Sequence, residues 1–110
     1  MAKYVREING DFYDFLDYIE RNKSQLGTSI SLEDTNVYSE GDIKVAIYVF
    51  ERYSYLGENR VTLSVLVTSH ENKIKVTAIT AGGSQALFFK INRFGEEAFL
   101  DKFIHLINRY

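Results

Sequence analysis

Cysteine, proline and tryptophan are all absent from this chain of 110 residues. Without cysteine, the protein can form no disulfide, use no thiol nucleophile and bind no metal through cysteine ligands. The absence fits a reducing compartment, and we expect a cytoplasmic protein. Aromatic residues are plentiful by contrast, with 8 Tyr and 8 Phe, which is typical of a well-packed globular domain.

Long apolar runs and an excess of one charge are also missing. No apolar segment approaches the ~20 residues that span a bilayer, and residues 1–11 contain no apolar stretch of the signal-peptide type. The formal net charge is -2, with both signs mixed along the chain. We therefore expect a soluble protein without a membrane partner, and bulk charge does not favour nucleic acid.

The length and the even composition predict one structural unit, a single domain over residues 1–110. Residues 4–8 predict a short strand, and Asp11 can cap a helix that follows. The apolar stripe of that helix is formed by Phe12, Phe15, Leu16, Ile19 and Leu26. Gly27 is a plausible end for the helix, and residues 28–34 predict the next strand.

Two long segments, 43–55 and 61–68, predict a pair of antiparallel strands. The odd-numbered apolar residues of both segments share a core face only if the loop has an odd length, such as residues 57–59. The next connection, around residues 69–72, needs an even length. A polar turn is predicted before these strands, around residues 39–42.

Gly82-Gly83 separates two further alternating segments, 74–81 and 84–91. A Gly-Gly pair suits a two-residue type I′ turn, so the sequence predicts another hairpin there. Its register turns Phe88 and Lys90 away from the core. The last helix is predicted to begin near Gly95, with a buried stripe comprising Phe99, Leu100, Phe103, Leu106 and Ile107.

The resulting order is β-α-β-β-β-β(-β)-α, which predicts an α+β fold. An antiparallel sheet of about five to six strands would carry the N-terminal and C-terminal helices on one face. This order of elements resembles TATA-binding-protein-like and helix-grip architectures. A shared order of elements implies nothing about function.

The sheet face away from the helices is the predicted contact surface. With the register above it contains five cations and no acidic residue; its members are Lys44, Ala46, Tyr48, Phe50, Arg52, Thr62, Ser64, Leu66, Thr68, Lys73, Lys75, Thr77, Ile79, Ala86, Phe88 and Lys90. Such a face could form a homodimer contact, stack the bases of a single-stranded nucleic acid, or simply be solvated. The candidate interface residues are Tyr48, Phe50, Leu66, Ile79, Phe88 and Lys90.

No catalytic or metal-binding motif is evident around His70 or His105, so we assign no catalytic residue, metal or cofactor. Glu51 falls on the predicted core face near the end of a hairpin. A buried carboxylate beside phenols and a cation could anchor a small ligand or act in acid-base catalysis, although a structural ion pair is the more frequent outcome. The candidate ligand-binding residues are Glu51, Arg52, Tyr53, Tyr55 and Arg60.

Three longer blocks, residues 51–63, 81–92 and 95–100, resemble a family of small bacterial proteins of about this length that is known only as a domain of unknown function. The resemblance implies a stand-alone cytosolic protein without an assigned activity. It selects a set of positions for mutation: Glu51, Arg52, Tyr53, Arg60, Ser84, Gln85 and Asn92.

We therefore interpret the chain as a non-enzymatic binding or self-associating module that uses the second sheet face. A small-ligand binder or small enzyme with a cavity near Glu51, Tyr53 and Arg60 is the alternative. Single-stranded nucleic-acid binding is a weaker third hypothesis.

Overall fold

The described residues form five antiparallel strands and two helices, which confirms the α+β prediction. The computed structural model describes residues 1–54, 59–82 and 89–110. The sheet order is β1-β5-β4-β3-β2. The elements are β1 (Ala2–Asn9), α1 (Phe12–Asn22) with a 3-10 turn (Lys23–Leu26), β2 (Ile30–Glu40), β3 (Ile43–Ser54), β4 (Asn59–His70), β5 (Lys73–Gly82) and α2 (Phe89–Asn108).

Helix α1 begins as its sequence predicts. The Asp11 carboxylate accepts a hydrogen bond from the backbone N–H of Asp14, at 3.0 Å. This bond satisfies one of the donors that the first turn of a helix leaves without a partner. The predicted apolar stripe is buried in full, from Phe12 to Leu26.

Tight turns connect the strands of two hairpins. Gly41 joins β2 to β3 with φ of 57°, and Glu71 and Asn72 join β4 to β5 with φ of 51° and 63°. Left-handed backbone at two-residue turns matches the twist of the flanking strands. The even connection predicted between β4 and β5 is confirmed, because His70 pairs with Lys73.

The predicted register between β3 and β4 is wrong. Ser54 pairs with Asn59, so the intervening segment, 55–58, has an even number of residues. Arg52 consequently lies opposite Val61, and the even-numbered residues of β3 share a face with the odd-numbered residues of β4. A change of one residue in the length of the connection exchanges the two faces of a strand.

The predicted Gly82-Gly83 hairpin is wrong as well. The free edge of β5 pairs with β1, so that Ala78 lies between Val65 and Tyr4. Both edges of β5 are thus paired, and the backbone is helical from Phe89, while residues 83–88 lie outside the described part of the chain. The predicted position of Phe88 lies outside the described residues, while Lys90 belongs to α2.

The core lies between one sheet face and the two helices. We call this face the covered face; its buried residues are Ala46, Tyr48, Phe50, Val61, Leu63, Val65, Val67, Ile74, Val76 and Ala78. The stripe predicted for the last helix, Phe99 to Ile107, is buried against it. The hydroxyl of Tyr18 in α1 donates to the carbonyl of Leu106 in α2 at 2.7 Å, which links the two helices.

Candidate functional site

The sheet face opposite the helices is not covered by any described element, and we call it the open face. Apolar residues extend across it from β1 to β3: Val5, Ile47, Leu66 and Ile79 are 47%, 38%, 40% and 37% exposed. Leu66 pairs directly with Ile47 across β4 and β3. We call these four residues the aliphatic patch. Two half-buried valines, Val45 and Val49, fill the gaps beside it.

The open face carries charges of opposite sign at its two edges. Strands β1 and β5 supply Lys3, Lys73 and Lys75 together with Glu7. On the other side, β2 and β3 supply the acidic residues Asp34, Glu40 and Glu51. The expectation of a face without acidic residues is therefore wrong.

A bulge in β2 contributes to this distribution. Leu32 pairs with Phe50, but Asp34 pairs with Val49, so Glu33 is an extra residue in the strand. The bulge reverses the alternation that follows it, because the side-chain period of a strand is two. Asp34 consequently joins the open face. The sequence contains no glycine or other sign that would locate the bulge.

Two of the candidate interface residues lie on the covered face instead. Tyr48 and Phe50 are each 1% exposed, and their rings stack with centroids 6.0 Å apart. The Tyr48 hydroxyl donates to Oε1 of Glu20 at 3.4 Å. Burial, followed by the charge of Glu20, raises the pKa of Tyr48 to about 12. Leu66 and Ile79 do lie on the open face, where an interface through them stays a prediction.

The predicted ligand-binding residues are divided between the two faces, because neighbours in a strand point in opposite directions. Glu51, Tyr53 and Arg60 lie together at one end of the open face, so the prediction of Glu51 on the core face is wrong. Arg52 points into the covered side. Tyr55 lies outside the part of the chain that the structure describes.

Glu51 and Arg60 form an ion pair across β3 and β4, with 3.1 Å between Oε2 and Nη1. A cavity of about 100 Å³ adjoins them and is lined by Ser29, Ser31, Glu51, Tyr53 and Arg60. At about 30 Å³ per water molecule, this cavity has room for roughly three waters. The geometry is that of a structural ion pair beside a small polar cleft, and it leaves little space for an organic substrate.

Arg52 connects the sheet to α2. Its Nη2 donates to the carbonyl of Gly95 at 3.1 Å, and its guanidinium lies 5.0 Å from the centre of the Phe99 ring. Burial lowers the pKa of Arg52. Among the described residues, no carboxylate forms an ion pair with it. These contacts assign Arg52 to the packing of the helix.

Glu96 is a buried acidic residue that sequence reasoning missed. It is 6% exposed, and its Oε1 accepts a hydrogen bond from the backbone N–H of Gly82 at 2.9 Å. The amino group of Met1 lies 2.6 Å from its Oε2, while Thr80 donates to its carbonyl at 3.1 Å. The sequence suggested only a helix start at Gly95, because a helix beginning at Phe89 was not expected.

Metal and membrane features are not found in the described parts of the chain. No group of three or more His, Asp and Glu side chains there is arranged to bind a metal ion. Neither helix, over the residues that the structure describes, has the length and apolar character needed to cross a membrane.

Comparison with known proteins identifies the family of this chain. A family model described as "Family of unknown function (DUF6054)" matches residues 1–110. A search of curated proteins found no match to the chain. The resemblance to a family of unknown function is thus confirmed, whereas a bacterial origin and a TATA-binding-protein-like architecture stay predictions. The chain belongs to DUF6054, a family of unknown function.

Proposed function

We propose that the protein is a non-enzymatic cytosolic module that self-associates by packing the open faces of two copies against each other. The observation that carries this proposal is the aliphatic patch. Its four members, Val5, Ile47, Leu66 and Ile79, lie on adjacent strands and are 37% to 47% exposed. Contiguous exposed apolar surface on a folded domain is typical of an interaction site.

The dimensions of the face suit a dimer. Strands spaced about 4.8 Å apart that rise about 3.3 Å per residue over about 10 residues give a five-stranded face of roughly 700 Å². A standard interface buries about 800 Å² on each partner. Two such sheets pack about 10 Å apart with their strands within about 30° of each other, as in a β-sandwich.

The charges of the open face favour one arrangement of the two copies. A two-fold axis parallel to the strands and above β4 brings the β1 edge of one copy over the β2 edge of the other. Lys3, Ile79, Ser64, Val49 and Asp34 follow one another in a single row across the sheet. Lys3 of one copy therefore meets Asp34 of the second copy, and the same contact recurs on the other side of the axis.

The two other hypotheses have less support. The cleft beside Glu51 and Arg60 measures about 100 Å³, well below the 300–1,000 Å³ of typical small-molecule sites. Stacking of nucleic-acid bases would use exposed aromatic rings beside cations, yet Tyr48 and Phe50 are buried, and the exposed Tyr38 and Tyr53 lie on the acidic β2–β3 side of the open face. Acidic residues on the open face, such as Asp34, would also repel phosphate groups.

Light scattering coupled to size exclusion tests the proposal. We expect the wild-type protein to elute with twice the 12.7 kDa chain mass, and Leu66→Glu to elute as a monomer. Burying an unpaired carboxylate in the interface is strongly unfavourable. Val37→Glu is the matched control, since Val37 is 44% exposed but lies on the other side of the sheet from Leu66.

A charge exchange tests the direction of the axis. Lys3→Glu should weaken the dimer, and Lys3→Glu combined with Asp34→Lys should restore it. A monomeric wild-type protein, or equal dissociation by Leu66→Glu and Val37→Glu, would contradict self-association through the open face. The open face would then be an ordinary solvated surface.

A further inference from the structure

We propose that a groove at the β4–β5 turn end of the open face binds small organic anions, meaning carboxylates or phosphate esters that carry an apolar body. This proposal is separate from self-association and rests on other residues. The groove has a volume of about 380 Å³. Its lining consists of Ile43, Thr68, Ser69, His70, Lys73 and Lys75.

The volume is that of a ligand site. Small-molecule pockets typically measure about 300–1,000 Å³, whereas the cleft beside Glu51 has room for only a few waters. The groove runs across the ends of three strands, with Ile43 from β3, Thr68 from β4 and Lys75 from β5. The sheet therefore fixes the spacing of the backbone positions that line the groove.

Two lysines give the groove its charge. Lys73 and Lys75 are exposed and alternate along β5, so both point to the open face about 7 Å apart. Neither forms an ion pair with a described acidic residue, although Glu7 lies directly across from Lys75. The two ammonium groups carry two positive charges against the one carboxylate of Glu7, so this part of the groove attracts an anion.

The neighbouring groups complete a site for an anion with an apolar body. Thr68 faces Lys75 and His70 faces Lys73 across the strand pair, which adds hydroxyl and imidazole groups beside the two ammonium groups. Ile43 is 46% exposed at the other wall. An alkyl or aryl group can pack against Ile43 and the methylene chains of the lysines, while the anionic group reaches both cations.

A titration followed by NMR tests this site. Wild-type protein is diluted below the concentration at which light scattering detects a dimer, so that a second copy does not cover the groove. Hexanoate, hexyl phosphate, inorganic phosphate and hexylammonium are added separately. We expect hexanoate or hexyl phosphate to shift the backbone amides of residues 68–75 in a saturable way. The stronger of the two identifies the anionic group, whether carboxylate or phosphate ester.

The remaining probes and three variants test whether binding depends on the apolar body of the ligand and on the two lysines of the groove. Inorganic phosphate should bind at least about tenfold more weakly, because it buries no apolar surface. Lys73→Gln and Lys75→Gln should each weaken binding by about threefold to tenfold, since each removes one charge-assisted contact. Lys102→Gln is the matched control, because Lys102 is exposed on α2 and outside the groove, and it should leave binding unchanged.

Three results would overturn the anion site: no saturable shift with either organic anion, equal shifts with hexylammonium, or unchanged affinity in Lys75→Gln. Failure of self-association would leave the titration unaffected, because each chain supplies a complete groove. The two proposals can therefore fail independently.

Discussion

The two faces of β3 have similar apolar character but differ in exposure. On one face Tyr48 and Phe50 are each 1% exposed beneath the helices. On the other, Ile43 and Ile47 are 46% and 38% exposed. A strand that is apolar on both faces does not reveal which face is buried, because alternation alone is symmetric. The buried face carries the two aromatic rings, and the isoleucines remain partly exposed on the other face.

Substitutions on the two faces of β3 should differ most in their effect on the free energy of unfolding. Phe50→Ala should lower the free energy of unfolding by about 3–5 kcal/mol, because it leaves a cavity next to Tyr48. Ile47→Ala should lower it by under about 1 kcal/mol in dilute, monomeric protein. Urea denaturation measures both changes. If Ile47→Ala costs as much as Phe50→Ala in monomeric protein, the distinction between the two faces is wrong.

The same pair also tests whether the open face is covered by a second copy. In a dimer, the cost of Ile47→Ala should grow with protein concentration, because association contributes to stability by mass action. The cost of Phe50→Ala relative to the wild-type monomer should not change in this way.

An intermediate effect is expected at Glu96, on the covered side. Glu96→Ala leaves the N–H of Gly82 without its acceptor and should cost about 1–3 kcal/mol in unfolding free energy. Glu96→Gln keeps an oxygen that can accept this bond, so it should cost less. Asp101→Ala is the control, since Asp101 is exposed on the same helix. Equal stability of Glu96→Ala and Asp101→Ala would contradict a structural role for Glu96.

The effect expected from the hydroxyl of Tyr48 is confined to alkaline pH. The pKa of Tyr48 is raised from 10.0 to about 12 in the folded protein. Above pH 10 the unfolded chain loses this proton and the folded protein retains it. The stability from the neutral hydroxyl is therefore complete below pH 10 and is lost as the pH rises to about 12.

Thermal unfolding of Tyr48→Phe against wild-type protein measures this contribution. The variant should lose less stability between pH 10 and pH 12, and Tyr13→Phe, at an exposed tyrosine, should behave as the wild-type protein does. A residual slope should remain in every variant, because burial also raises the pKa of Tyr110. Identical pH profiles for Tyr48→Phe and wild type would show that the Tyr48 proton is not linked to folding.

Much of the fold follows from local patterns. The helical stripe from Phe12 to Ile19, the Asp11 cap and the inward faces of β4 and β5 are visible in the sequence, because each depends on residues close together in the chain. The start of α2 at Phe89 was missed. Its first turns overlap a segment whose alternation also fits a strand, and the edge of β5 that such a strand would need is occupied by β1.

The candidate site was less predictable than the fold. Leu66 and Ile79 were placed on the correct face because β4 and β5 were in the correct register. Glu51, Tyr48 and Phe50 were placed on the wrong face by a single error in the length of the connection between β3 and β4. One residue in a loop changes the environment of every side chain in a strand.

The sequence by itself determined the fold class, the apolar stripes of both helices and the helix cap, since these depend on spacing along the chain. Only the tertiary structure decided which side of β3 is buried, that a bulge turns Asp34 to the open face, and that Glu96 meets Gly82. Each of these outcomes depends on which distant segment of the chain packs against the strand or helix concerned. Residues far apart in the chain become neighbours across a sheet, and no local sequence pattern predicts which ones will pair. The open face, with its aliphatic patch and its opposed charges, is the product of that pairing.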